Sequence, residues 1–276
     1  MDVPCTVLRE GWDVIFFMAG TSDARELALA IQTAGYSLLA SVVTKNAAIS
    51  LEEAGLPARF GRLDVSSMVT ILKKIGASLL VDASHPFAEE AHRTAMVAAN
   101  QFGVPYIRYE RSRHEFGDQE LLTYVDSYEE AARLAAQKKG NIMLTTGSKT
   151  LSIFTERLRS EPDIRLIARM LPTTDNMEKC TELGVKQKNI IAMQGPFSRA
   201  FNEALYRHYE TTLMITKESG KTGAVDEKVE AALDMGIEVI VIGRPKLNYE
   251  VSFSTVDAVL SEIKQRGRKE QKDDFS

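Results

Sequence analysis

A polar segment at residues 82–87, with the sequence Asp-Ala-Ser-His-Pro-Phe, directly follows the apolar run Leu79–Val81. It brings a carboxylate, a hydroxyl, an imidazole and an aromatic ring close together in the chain. An imidazole transfers protons near neutral pH, and the other groups can orient it or contact a ligand. In an open α/β sheet, ligands lie at the carboxyl ends of the strands. The segment is therefore a candidate active site.

Two interpretations of this segment are open. Asp82 either orients His85 or binds a donor on a ligand; alternatively, Asp82 and Ser84 only cap the helix that follows. Capping requires neither the imidazole nor the ring of Phe87, which favours a ligand site. Pro86 disfavours helical geometry at His85 and suits the start of a helix. We predict that His85 and Asp82 are catalytic and that Ser84 and Phe87 contact the substrate.

A second polar turn, Gly20-Thr21-Ser22, follows the first predicted strand. Glycine allows a close approach of the ligand, and Thr21 or Ser22 can cap a helix whose free N–H groups favour an anion. Arg25 lies one turn into that helix and adds positive charge. The turn lacks the G-x-G-x-x-G motif, so an ordinary capped junction is the alternative. We predict that Gly20, Thr21, Ser22 and Arg25 bind a cofactor.

The second predicted strand ends in Thr44-Lys45 rather than in an acid. An acid at this position favours a ribose 2′-hydroxyl, whereas a cation can meet a 2′-phosphate. Lys45 is therefore predicted to bind the cofactor, with a solvated surface lysine as the alternative.

The second half of the chain repeats the pattern of polar strand ends. Thr146-Gly147-Ser148 precedes a predicted helix and is typical of an anion-binding turn, so these residues are also assigned to the cofactor. Arg111 can pair with a ligand carboxylate, or it belongs to a surface salt-bridge network. Further candidates for substrate contacts follow later strands: Arg169, Phe197, Ser198, Lys217, Ser219, Gly220 and Arg244. Together these strand ends predict a shared cleft for a large polyanionic ligand.

The composition restricts the class of protein. The chain has 276 residues, of which 44% are hydrophobic and 26% charged, as in a globular protein. A formal net charge of −4 argues against general nucleic-acid binding. No signal peptide or membrane span is visible, so we expect a cytoplasmic protein. Two cysteines and four histidines predict neither a disulfide framework nor a metal site.

Strands separated by helices of about 10–15 residues imply βαβ units and mostly parallel sheets. We predict an α/β protein with two Rossmann-like domains, residues 12–112 and 113–265, an inter-domain cleft and a disordered charged tail at 266–276. The predicted strands are 14–18, 37–43, 58–60, 78–82, 106–109, 121–124, 142–145, 164–168, 190–193, 212–216 and 239–242. The predicted helices are 24–34, 65–75, 88–102, 128–137, 151–158, 176–183, 198–208, 226–235 and 255–264.

The ordered set of motifs resembles the precorrin-6A reductase family, including its cobalt-precorrin-6A branch. Asp23 and Ser84 stand where the family often has Glu and Thr, which keeps the chemistry. Glu218 departs from the amide or shorter acid that the family often has. The segments that carry the resemblance occur in family order: Gly20–Arg25, Asp82–Ala88, Thr145–Gly147, Arg169–Pro172, Gln194–Ser198, Thr216–Gly220 and Arg244-Pro245.

The resemblance implies an enzyme of cobalamin (vitamin B12) biosynthesis. It would reduce a ring double bond of (cobalt-)precorrin-6A to give (cobalt-)precorrin-6B, with hydride from NADPH or NADH. The cationic strand ends suit the carboxylates of a tetrapyrrole substrate, and we expect transient contacts with other corrin-pathway enzymes but none with nucleic acid or a membrane. The alternatives are a SAM-dependent tetrapyrrole methyltransferase and a non-catalytic protein that binds nucleotides or tetrapyrroles.

Overall fold

The structure, a computed structural model, describes residues 14–110, 119–218 and 225–273, with side chains to residue 266 and none at residues 225 and 226. The described residues divide into two compact units. One unit comprises residues 14–110 and 246–273, and the other comprises 119–218 and 225–245. Each unit contains one six-stranded sheet in which every strand pair is parallel. The predicted α/β class with two Rossmann-like sheets is therefore confirmed.

The first unit alternates strands and helices. Its strands are β1 (Val14–Met18), β2 (Ser37–Val42), β3 (Ala58–Phe60), β4 (Ala77–Asp82), β5 (Tyr106–Tyr109) and the late strand β12 (Ser252–Phe253). Its helices are α1 (Ser22–Thr33), α2 (Lys45–Glu53), α3 (Val65–Ile75), α4 (Glu89–Phe102) and α10 (Val256–Asp273). The sheet order is β12-β5-β4-β1-β2-β3.

The central strand β1 shows why this sheet is covered on both faces. All five of its residues are buried, as expected for a parallel strand between two layers of helices. Ile15 and Phe17 belong to one apolar cluster with α1 and α10. Phe16 and Met18 belong to another with α3 and α4. This alternation follows the period of two of a strand, so each neighbouring residue contributes to the opposite core.

The second unit follows the same plan. Its strands are β6 (Leu122–Val125), β7 (Gly140–Leu144), β8 (Ile164–Met170), β9 (Ile190–Ala192), β10 (Leu213–Lys217) and β11 (Glu238–Ile242). Its helices are α5 (Tyr128–Lys138), α6 (Leu151–Leu158), α7 (Thr174–Glu182), α8 (Arg199–His208) and α9 (Val225–Asp234), with short 3₁₀ turns at Ser148–Thr150 and Gln187–Asn189. The sheet order is β6-β11-β10-β7-β8-β9.

Both sheets reverse direction at a defined pair of strands. In the first sheet, the chain forms β1, β2 and β3 in order toward one edge. It then returns and forms β4 on the other side of β1. In sheet two, β10 returns beside β7 in the same manner. The crevice at such a switch point, at the carboxyl ends of the strands, is the general ligand site of open α/β sheets. Each unit therefore offers one such edge.

The last part of the chain differs from the predicted domain division. The segment from residue 246 onward lies with the first unit, whereas it was predicted to end the second domain. Strand β12 pairs with β5, and Val259 and Ile263 of α10 join the apolar cluster of β1 and α1. A two-residue strand is too short to be recognised from its own sequence. The position of the segment is therefore set by the burial of the apolar side chains of α10 against the first unit. Helix α10 also extends to Asp273, beyond the predicted end near residue 264.

Candidate active site

The carboxylate of Asp82, at the end of β4, is the centre of a buried polar network. Asp82 Oδ1 accepts hydrogen bonds from the backbone N–H of Ser84 (2.9 Å) and from its hydroxyl (2.5 Å). Asp82 Oδ2 lies 2.7 Å from Nδ1 of His92 and accepts a 2.8 Å hydrogen bond from the hydroxyl of Tyr106. Asp82 and His92 are 0% exposed. Both oxygens are thus engaged by protein groups.

Arg108 on β5 supplies the second positive group of this network. Its Nη1 donates to the backbone oxygens of Asp82 (3.0 Å) and Ser84 (2.9 Å) and forms an ion pair with Asp82 Oδ1 (3.2 Å). Its Nε pairs with Glu110 at 3.2 Å. The guanidinium also lies 5.7 Å from the ring centroid of Tyr249, which comes from the returning segment. The carboxylates and the backbone oxygens thus engage Nη1 and Nε of this buried arginine, whereas its Nη2 has no hydrogen-bond partner among the described residues.

The charges of the network determine how its members ionise. Burial opposes ionisation of Asp82, but the hydrogen bond from His92 and the charge of Arg108 hold its pKa well below the usual range. Burial, followed by the nearby charge of Asp82, raises the pKa of Tyr106. Burial also raises the pKa of Tyr249 to about 12. The carboxylate is therefore ionised and both phenols are neutral at physiological pH.

This geometry refines the roles predicted for residues 82–87. The imidazole that contacts Asp82 is that of His92, which the sequence reasoning missed. The signal was present, because His92, Ala95 and Ala99 form a buried stripe at helical spacing on α4. A histidine on an apolar helix face usually has a buried polar partner. The catalytic role of Asp82 stays a prediction, although its complete burial favours positioning of its neighbours.

His85 is exposed, in contrast to His92. Its Nδ1 accepts the backbone N–H of Phe87 at 3.2 Å. The rings of His85 and Phe87 lie 5.9 Å apart. A Cβ atom placed on Gly20 would lie 3.4 Å from the backbone nitrogen of His85. The two polar turns predicted from the sequence therefore lie side by side at the β1–β4 switch point.

The remaining predicted cofactor residues of the first unit lie along the same edge. Thr21 caps α1 by accepting the N–H of Ala24 at 3.4 Å, and Ser22 and Arg25 are exposed in its first turns. Lys45 is the exposed first residue of α2, a helix that the sequence analysis did not predict. It follows β2, the neighbour of β1, so its position fits the proposed contact with a cofactor phosphate.

The turn after β7 forms the corresponding edge of the second unit. Gly147 has φ 84° and ψ −178°, a conformation that is essentially restricted to glycine. A Cβ there would meet nothing within 4 Å, so the backbone conformation and not crowding requires the glycine. Thr146 bonds to the hydroxyl of Thr150 (3.1 Å), and Ser148 donates to Asn176. The turn is therefore held in shape by its own polar side chains.

Arg169, at the end of β8, is a buried cation with neutral partners. Its Nη1 donates to the amide oxygen of Asn202 at 2.7 Å, and its guanidinium lies 4.7 Å from the ring centroid of Phe197. No carboxylate pairs with it within the described ranges. Burial lowers its pKa, which shows the cost of this uncompensated charge. A ligand anion would supply the missing countercharge.

Two lysines add to the positive potential of the second unit. Burial, followed by Lys149, lowers the pKa of Lys217 on β10. Burial, followed by Arg169 and Lys217, lowers the pKa of Lys228 on α9 to about 7. Lys228 was not among the predicted site residues. Lysines often line a protein surface, and only the fold brings this one to the other cations.

The other predicted substrate contacts have mixed outcomes. Ser198 caps α8 by accepting the N–H of Phe201 at 3.3 Å. Arg244 forms a buried ion pair with Glu218 (3.3 Å), so the residue that departs from the family pattern has a structural partner. Substrate contacts for both stay predictions. Three more predicted residues lie outside the described ranges: Arg111, Ser219 and Gly220.

Two features are absent from the described residues. No group of three or more His, Cys, Asp or Glu side chains there is arranged to hold a metal ion. Within the same residues, no helix has an apolar stretch long enough for a membrane crossing.

The fold and the paired strand-end sites define a two-unit α/β protein of Rossmann type. A family model described as precorrin-6x reductase CbiJ/CobK matches residues 14–264. The chain therefore belongs to the precorrin-6x reductase family, a family of oxidoreductases that act on a CH–CH bond in cobalamin biosynthesis.

Curated relatives agree with this assignment. A cobalt-precorrin-6A reductase of Priestia megaterium is 53% identical over 92% of this chain and 100% of the relative. A cobalt-precorrin-6A reductase of Methanothermobacter thermautotrophicus is 38% identical over 88% of this chain and 80% of the relative. The solved structure of the CobK precorrin-6A reductase matches with a TM-score of 0.76 at 24% identity, covering 92% of this chain and 97% of that one. This last match supports the fold.

Proposed function

We propose that this protein reduces a ring double bond of cobalt-precorrin-6A to give cobalt-precorrin-6B, with hydride from a reduced nicotinamide cofactor. The observation that carries the proposal is the pair of polar turns at the two switch points, in a chain of the reductase family. A reduced nicotinamide would supply the hydride for one ring carbon, and a proton would be added to its neighbour. Oxidised nicotinamide and the reduced ring are the products.

The residues of the first unit fit a cofactor. The free N–H groups at the start of α1, beside Gly20, Thr21 and Ser22, suit a pyrophosphate. Lys45 suits a 2′-phosphate, which favours NADPH over NADH. The exposed imidazole of His85 lies beside Gly20 and is our candidate proton donor. In the second unit, Thr146, Gly147 and Ser148 are a second candidate for the cofactor phosphates.

The cations of the second unit fit a macrocycle with several carboxylates. Arg169 lacks an anionic partner within the described residues, and Lys228 lies in the field of both Arg169 and Lys217. Phe197, over which Arg169 packs, can contact an apolar ring face. Ser84 and Phe87 of the first unit are proposed as further substrate contacts. A cleft between the two units stays a prediction.

The proposed activity is tested with the purified chain, NADPH or NADH, and cobalt-precorrin-6A or its metal-free form. Absorbance of the reduced nicotinamide should fall only when a macrocycle is present. The rates for the four combinations identify the preferred cofactor and substrate. Equal rates with and without macrocycle would contradict the proposal, and methyl transfer from a thioether donor would favour the methyltransferase instead.

We expect binding of the anionic macrocycle to weaken as the pH rises through about 7, because Lys228 loses its proton there. A bound anion favours the ammonium form of Lys228. The variant Lys228→Met should lower the affinity about fivefold at pH 6 and show little loss at pH 8.5. The measurement is the KM for the macrocycle between pH 6 and 8.5.

The same lysine gives a second readout without ligand. Its folded pKa lies below its usual value of 10.5, so the unfolded chain binds more protons between about pH 7 and 10.5. The contribution of Lys228 to the free energy of unfolding of the ligand-free protein therefore rises with pH across that window. Lys186→Met, at an exposed lysine of the same unit, is the control. Identical pH profiles for both variants would contradict the role of Lys228.

A further inference from the structure

Both ring nitrogens of the buried His92 contact hydrogen-bond acceptors. Nδ1 lies 2.7 Å from the carboxylate of Asp82, and Nε2 lies 3.3 Å from the backbone oxygen of Pro86. A neutral imidazole has one N–H and could satisfy only one of these acceptors. The doubly protonated ring satisfies both. The geometry therefore favours a cationic His92.

The charges of the surrounding groups agree with this protonation state. The ionised carboxylate of Asp82 lies between Arg108, at 3.2 Å, and His92, at 2.7 Å. Tyr106 on β5 and Tyr249, whose ring lies edge-on to His92 at 6.0 Å, are neutral phenols. A cationic His92 therefore has a buried carboxylate as its partner. Buried charges are tolerated when they are compensated in this manner.

The network holds the backbone of the turn that carries His85. Asp82 accepts the N–H of Ser84, Arg108 donates to the Ser84 oxygen at 2.9 Å, and His92 donates to the Pro86 oxygen. Three buried side chains thus fix consecutive parts of one short turn. The same turn lies against Gly20 at the switch point.

We propose that His92 is a positioning residue, held as an imidazolium, which fixes the turn at residues 84–87 in the shape that the ligand requires. The carboxylate of Asp82 stabilises the positive charge of the ring, and the hydrogen bond from the ring to the Pro86 oxygen fixes the position of the turn. The proposal rests on the proposed function only in that this turn contacts a ligand of the reductase.

The protonation state can be measured on the wild-type protein by ¹⁵N NMR with labelled histidine at pH 7.5. His92 should show two protonated ring nitrogens, and the spectrum of His92→Asn assigns its signals. The exposed His208 serves as the internal reference for a solvated ring. A ring with one protonated nitrogen would overturn the proposal. This result does not depend on turnover, so it stays informative even if the reductase assay fails.

The positioning role is tested with two amide variants that separate the contacts of His92. The amide nitrogen of His92→Asn replaces Nδ1 and keeps the bond to Asp82, whereas that of His92→Gln reaches the position of Nε2 and keeps the bond to Pro86. We expect His92→Asn to raise the KM for one ligand, either the cofactor or the macrocycle, about tenfold. His92→Gln should keep that KM within about threefold of the wild-type value. The KM of the other ligand should not change.

Two results would overturn this assignment. Equal KM values for both amide variants would show that the contact with Pro86 does not matter. Equal rises for cofactor and macrocycle would indicate general loosening of the fold. The variant His208→Asn is the matched control at an exposed position, and thermal unfolding confirms that each variant is folded at the assay temperature.

Discussion

Replacing Asp82 with asparagine is expected to lower the free energy of unfolding by about 3–5 kcal/mol. The substitution keeps the shape of the side chain but removes its negative charge. Arg108, which is 0% exposed, would then keep Glu110 as its carboxylate partner among the described residues, and the buried His92 would lose the carboxylate that it contacts. An uncompensated buried charge costs more than a lost neutral hydrogen bond. This is the largest stability effect that we expect from a conservative change in the chain.

The effect can be measured by denaturant unfolding at pH 7. Asp234→Asn is the control, because Asp234 forms an exposed ion pair with Arg199 and should change stability by less than about 1 kcal/mol. The pKa of Asp82 is depressed in the folded protein, so its contribution is complete above the ordinary aspartate pKa near 4 and is lost as the pH falls below it. The difference between wild type and variant should narrow in acid. Equal stability at pH 7 would contradict the compensated network.

Replacing His85 with alanine is expected to lower kcat about 10²–10⁴-fold, the usual contribution of a proton-transferring side chain. His85 is exposed at the strand-end edge beside Gly20, where we propose that the ligand binds. Its Nδ1 accepts the N–H of Phe87, so we expect proton transfer to take place at Nε2. The substitution removes the imidazole and its hydrogen bond with the N–H of Phe87.

The measurement is macrocycle-dependent oxidation of the reduced nicotinamide under saturating conditions. His208→Ala, at the exposed end of α8, is the control and should retain wild-type turnover. The fold should survive the change at His85, because loss of one exposed hydrogen bond costs only about 0.5–1.5 kcal/mol. Turnover within a few-fold of wild type would remove His85 from the proton-donor role and leave the proton to water or to the macrocycle.

The course of the chain was largely predictable because periodicity is a local property. The strand β1 and the helices α3 and α6 have the predicted bounds. In α3, buried residues at helical spacing, the cap at Asp64 and the left-handed Gly76 mark the core face and both ends. The helix α2 was missed because its polar sequence after Thr44 resembled a strand end followed by a loop. The strand β12 has only two residues and carries no period of its own.

The sequence also indicated which residues lie at the carboxyl ends of the parallel strands, because polar side chains follow the apolar runs there. It could not assign partners within the site. Asp82 pairs with His92, ten residues away, and with Tyr106, 24 residues away, because β4, α4 and β5 pack together. His85 is closer to Asp82 in the chain and was the predicted partner of its carboxylate, yet the imidazole that contacts Asp82 is that of His92.

The sequence by itself thus determined the α/β class, most elements and the polar strand ends, since these depend on residue types at short spacing. The tertiary structure decided which groups meet. It returned the segment after residue 246 to the first unit, where Tyr249 covers the Arg108 guanidinium. It also separated the buried network around Asp82 from the exposed His85. These outcomes depend on burial and on charge compensation between distant residues, and no local pattern records either of them.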